Sequence, residues 1–65
     1  MTHLIRETNK FQFFQEIWNN YTAVIRLTDL EITNWNTSSE ATEEKEYLSC
    51  CTEQEFDEYC EQLFV

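Results

Sequence analysis

Residues 11–21, FQFFQEIWNNY, place Phe14, Ile17, Trp18 and Tyr21 at i, i+3, i+4 and i+7, with Phe11 and Phe13 flanking them. That spacing lines one face of an α-helix. Asn9 can cap the first turn, and Gln12 stands where a capping box has its returning side chain. The pattern predicts a helix over residues 10–20. From Tyr21 the period changes to two: in YTAVIRLTDLEITNW, Ala23, Ile25 and Leu27 share one face of a strand, with Val24 and Arg26 on the other. β-Branched residues favour this pleated state. A turn near Thr28 and Asp29 leads into a second strand containing Leu30, Ile32 and Asn34, and NWNTSSEATEE reads as a polar loop. KEYLSCC reads as a third strand, with a helix from Glu40 to Ser49 as its competitor, since Glu, Ala and Lys favour helices.

The last element has the sharpest signal. Thr52 followed by Glu55 is a T-x-x-E capping box, and Phe56, Tyr59, Cys60 and Leu63 repeat the helical spacing. At about 100° per residue, Glu53, Asp57, Glu58 and Glu61 fall on the opposite arc. The predicted architecture is α+β: helix, three-stranded antiparallel β-meander, helix, with both helices on one face of the sheet.

Composition adds that the chain is one domain. At 65 residues without Gly or Pro, linkers and Gly-rich phosphate loops are not expected. Folding at this length buries only about 60% of the chain's surface, but ten aromatic residues enrich the core, and a monomer with Trp18 and Phe56 inside it is expected.

Charge divides along the chain. Residues 1–30 sum to zero, while residues 31–65 carry ten acids against Lys45, and the whole net charge of −9 lies there. Such an excess repels nucleic acid and anionic membranes and steers basic partners inward. There is no apolar run of the ~20 residues a membrane span needs, nor a secretory pattern at the N-terminus. The expected location is the cytoplasm. Cys50, Cys51 and Cys60 make an odd count and read as reduced thiols.

Catalysis finds little to work with. His3, the one histidine, reads as a solvated residue near a fraying end. Cys50 or Cys51 as nucleophile lacks a base and an oxyanion loop. The pair Glu43 and Glu46 needs a pocket to separate its pKa values. Zinc on Cys50, Cys51, Cys60 and His3 lacks paired-knuckle spacing, and calcium lacks the Gly-containing acidic loop. The expectation is a non-enzyme with no metal and no cofactor.

The acidic surface supports solubility, yet a solubility coat intersperses both signs, whereas the helix after Thr52 has five acids and no Lys or Arg. Charge that destabilises an ordered helix by repulsion suggests a partner that neutralises it. Glu53, Asp57 and Glu61 step by four residues, a rise of about 6 Å each, against one phosphate per ~3.4 Å of a DNA strand. A carboxylate lattice of this kind can occupy a groove built to track phosphates.

In size, in its lack of Gly and Pro, in its acid-rich C-terminal half and in its α/β pattern, the chain resembles the small phage-encoded anti-CRISPR proteins, several of which are DNA mimics. The resemblance implies an inhibitor in the cytoplasm of a bacterial host that binds a CRISPR effector complex, with a type I complex the first target to consider, and blocks target DNA. The partner-binding residues expected are Glu43, Glu44, Glu46, Glu53, Asp57, Glu58 and Glu61. The alternative is a small adaptor or antitoxin-like module that binds through exposed aromatics such as Trp35, with charge serving solubility.

Overall fold

Period two, not 3.6, governs the first half of the chain. The computed structural model, which describes residues 1–36 and 40–65, has strands β1 (Thr2–Glu7), β2 (Phe11–Glu16), β3 (Tyr21–Arg26) and β4 (Glu31–Asn36), followed by helices α1 (Glu40–Cys50) and α2 (Glu53–Gln62). The strands form one antiparallel meander in the order β1-β2-β3-β4. The order is therefore four strands then two helices, in place of the helix, three strands and helix read from the sequence.

Two corrections produce this result. The helix predicted over residues 10–20 is β2 plus the turn after it, and β1 occupies a segment expected to fray. Phe14, Ile17, Trp18 and Tyr21 fit a helical stripe, but Phe11, Phe13 and Gln15 alternate with Gln12, Phe14 and Glu16 equally well. Cross-strand pairing decides between the two periods. Phe13 pairs Val24 on one side and Arg6 on the other, and Phe14 pairs Ala23 and Leu4. Trp18, expected in the core, lies in the β2–β3 turn at 83% exposure.

In the second half, KEYLSCC is helical as far as Cys50: the competitor reading, a helix from Glu40 to Ser49, is the one adopted, and α1 runs one residue past its end. The predicted loop NWNTSSEATEE is divided between the end of β4 and the start of α1, and its residues 37–39 lie outside the described residues. The capping box of α2 is formed, with Thr52 Oγ1 accepting from the Glu55 amide at 3.1 Å and the Glu55 carboxylate accepting from the Thr52 amide at 3.0 Å.

The registers assign side chains to faces. Arg6, Phe13, Val24 and Thr33 form one row, and Phe11, Arg26 and Glu31 another, on the side that faces the helices. There Phe11, Phe13 and Val24 meet Leu48 of α1 and Phe56 and Cys60 of α2 in a single core. Phe13 packs edge-on against Trp35 and Phe56, with centroids 5.5 and 6.4 Å away. Such aromatic pairs contribute about 0.5–1.5 kcal/mol beyond area burial. The buried side of β3 is thus that of Val24, while Ala23 and Ile25 lie on the side away from the helices.

Arg6 ties β1 to the helical layer. Its Nη1 donates to the carbonyls of Leu48 at 2.6 Å and Cys51 at 2.9 Å, satisfying orphan acceptors at the C-terminal end of α1, and its guanidinium lies 4.8 Å from the Phe56 ring centroid. Arg26, two register positions further along the same face, also packs on an aromatic ring of the C-terminal segment: it lies 4.5 Å from the Phe64 centroid and bonds Asp29 at 2.7 Å and Glu31 at 2.8 Å within its own hairpin. Both long hairpin turns end in a left-handed residue, Asn20 (φ 51°) and Leu30 (φ 58°). Asparagine tolerates that region, whereas leucine meets the Cβ clash there; a chain without glycine accepts the strain.

Candidate partner-binding surface

The helical layer concentrates charge because its amphipathic pattern turns apolar residues to the sheet and leaves the rest outside. α1 carries four acids and α2 five, with Lys45 the only base between them. Lys45 points to the sheet, where its Nζ donates to Gln15 at 3.0 Å. Arg6 and Arg26 are committed as described above. Lys10, in the β1–β2 turn, pairs with a carboxylate of α2, 3.6 Å from Glu61.

Of the seven residues singled out from the sequence, Glu53, Asp57, Glu58 and Glu61 come together around one open depression with Lys10 and Gln54. Asp57 is fixed there by the Thr8 hydroxyl, which donates to it at 2.7 Å, and Glu58 accepts from Gln54 at 3.1 Å. Glu43 and Glu46 are exposed on α1 and do not line this depression. Glu44 turns inward and accepts from the Tyr59 hydroxyl.

A seam links the two helices. Tyr59 packs edge-on against Trp35 at 5.4 Å and at a tilt of 50° against Tyr47 at 5.8 Å. Burial is the main cause that pushes the Tyr59 phenol well above its ordinary range, with the Glu44 carboxylate adding to it. The Tyr47 phenol is also raised, first by desolvation and then by the charges of Glu55, Cys51, Glu58 and Glu44. The carboxylates of α1 and α2 therefore act on one shared region.

Trp35, the aromatic anchor of the alternative reading, is half-buried in this packing and does not stand free. The exposed tryptophan is Trp18. Among the cysteines, Cys50 is exposed, and the Cys60 thiol in the core is pushed up to about 12, chiefly by burial. Cys51 Sγ lies 3.6 Å from Arg6 Nη1. Among the described residues no group of three or more His, Cys, Asp or Glu is placed to hold a metal, and no helix is long and apolar enough to cross a membrane.

Lys10 and Thr8 were not singled out from the sequence, because their place beside α2 depends on the β1–β2 turn reaching across some 50 positions of chain. A second surface was also missed: the sheet face away from the helices, where Leu4, Phe14, Ile25 and Ile32 stand. The alternation in FQFFQE, with apolar residues at both phases, was its signal. Comparisons of the chain with known protein families, with curated proteins and with solved structures find no match.

Proposed function

We propose that the chain is a stoichiometric inhibitor whose acidic helical surface occupies a basic nucleic-acid-binding groove. The observation that carries this reading is the cluster of Glu53, Asp57, Glu58 and Glu61 around one open depression on an ordered, capped helix, with Lys10 as its counterion. A capped helix holds its carboxylates at fixed spacing, so the partner meets a preorganised array and loses little further entropy in ordering it. The groove's own cations supply the charge the array lacks, and counterions on both surfaces are released. A CRISPR effector complex, type I first, is the target that the resemblance in size and charge implies. The inhibitor binds no nucleic acid itself and needs no metal or cofactor to do this.

The test is competition. The protein should displace double-stranded DNA from a purified type I effector complex, with affinity falling steeply as salt rises. Replacing Glu58 and Glu61 by Gln should weaken displacement at least tenfold. Asn19→Lys with Thr28→Lys, two exposed turn positions remote in sequence from α2, changes the net charge by the same two units and should retain displacement. Equal losses in the two folded variants, or no displacement by the parent chain, would overturn the reading.

A further inference from the structure

The helices cover one side of the sheet, and the other side is bare. On it the registers place Leu4, Phe14, Ala23 and Asn34 in one row and Glu7, Gln12, Ile25 and Ile32 in the next. Leu4 is 44% exposed and Ile32 60%, at the two edges of a continuous apolar stripe through Phe14, Ala23 and Ile25. An antiparallel sheet with one solvated face ordinarily alternates apolar-in and polar-out. Here both phases are apolar, and an apolar sheet face is stably buried against another layer.

We infer that this face docks a second copy of the chain, sheet against sheet, to make a four-layer sandwich with the helices outermost. Charge favours this occupant. Of the thirteen acids, only Glu7 and Glu16 lie on the open face by register, and Glu16 is neutralised by the Met1 ammonium at 2.8 Å. A highly charged partner finds nothing to pair with there, whereas an identical apolar face is complementary to itself about a two-fold axis. Packed sheets lie about 10 Å apart, and each acidic layer sits a further ~10 Å behind its own sheet. The two helical layers are then separated by several Debye lengths of ~8 Å, so the charge of −9 on each copy hardly opposes docking.

Area sets the strength. Four strands spaced ~4.8 Å apart, with six residues rising ~3.3 Å each, give a flat footprint of about 380 Å² per copy, before the relief of side chains. Over both copies that is about 760 Å², below the ~1,200 Å² of stable specific interfaces, so the association expected is weak and transient and fills only toward high protein concentration. The inference replaces the monomer expected from the sequence.

Sedimentation velocity on the full chain, from roughly 1 µM to several hundred µM at physiological salt, reads the outcome directly. The expected result is a shift from a 7.9 kDa species to one of twice that mass as concentration rises. Leu4→Lys with Ile32→Lys, both exposed in the single copy, should weaken association at least tenfold with circular dichroism unchanged. Should that pair fail to fold, Asn34→Arg adds bulk and charge to the face at an exposed position without removing an apolar group, and it should weaken association likewise. A parent chain that stays monomeric throughout overturns the inference, as does association that a folded face variant leaves intact. A chain that stays monomeric but co-sediments with neutral phosphatidylcholine vesicles also overturns it, in favour of a lipid surface.

Discussion

Phe13 and Phe14 are neighbours in β2, and their side chains leave the strand on opposite sides of the sheet. Phe13 is fully buried between Trp35 and Phe56, whereas Phe14, between Leu4 and Ala23, is half-buried on the bare side. The residue type and the backbone are the same; two helices that begin about 27 and 40 positions later make the difference. On the covered side apolar area is converted into stability of the single chain, and on the open side it remains available for association.

Truncation reads this contrast most directly. Phe56→Ala or Phe13→Ala should cost about 3–5 kcal/mol in urea unfolding, most of what a domain of this size possesses. Phe14→Ala should cost only about 1 kcal/mol under dilute conditions. Equal costs would mean that the open face is covered in the single copy. The next largest effect is expected at Arg6, which joins β1 to the covered side. Arg6→Ala leaves the carbonyls of Leu48 and Cys51 without their donor and should lower stability by roughly 2 kcal/mol, again by urea unfolding.

A change that touches neither face sharpens the comparison from the other direction. Leu30 is 69% exposed and sits at φ 58°, so Leu30→Asn removes strain without removing buried area and should raise the melting midpoint, by an amount equivalent to about 1 kcal/mol. The smallest effect concerns Asp29, whose hydrogen bond to Arg26 holds its carboxyl below the ordinary range. A depressed folded pKa contributes stability that is present above the unfolded pKa and lost as pH falls through the folded one. The parent should therefore melt slightly above Asp29→Asn at neutral pH, and the gap should close in acid, below the carboxylate range.

α2 was legible in the sequence because capping box, period and polar arc agreed on it. α1 was half-legible: helix propensity pointed to it, while Tyr47, Leu48 and the cysteines fitted a strand as well. The hairpin of β2 and β3 was obscured for two reasons. Both phases of β2 carry phenylalanine, which blurs the period of two, and the turn IWNN has neither Gly nor Pro to mark it. A helical stripe was the template that remained. The acidic positions were legible because a charged side chain stays at the surface in nearly any fold, but which of them share one depression depended on where α2 lies against the β1–β2 turn.

The meander order has a consequence for biosynthesis. Every strand pairs with its neighbour in sequence, so hairpins can close one after another over short loops, in the regime of fast folding. All four strands leave the ribosome before either helix. For that interval the nascent sheet has both faces uncovered, and nothing in the first thirty residues gives it net charge. The segment that covers the core also brings the carboxylates that keep the chain dispersed. A chain halted before α1 is therefore a doubly apolar sheet with little electrostatic protection, so termination at that point yields aggregate rather than a weaker fold.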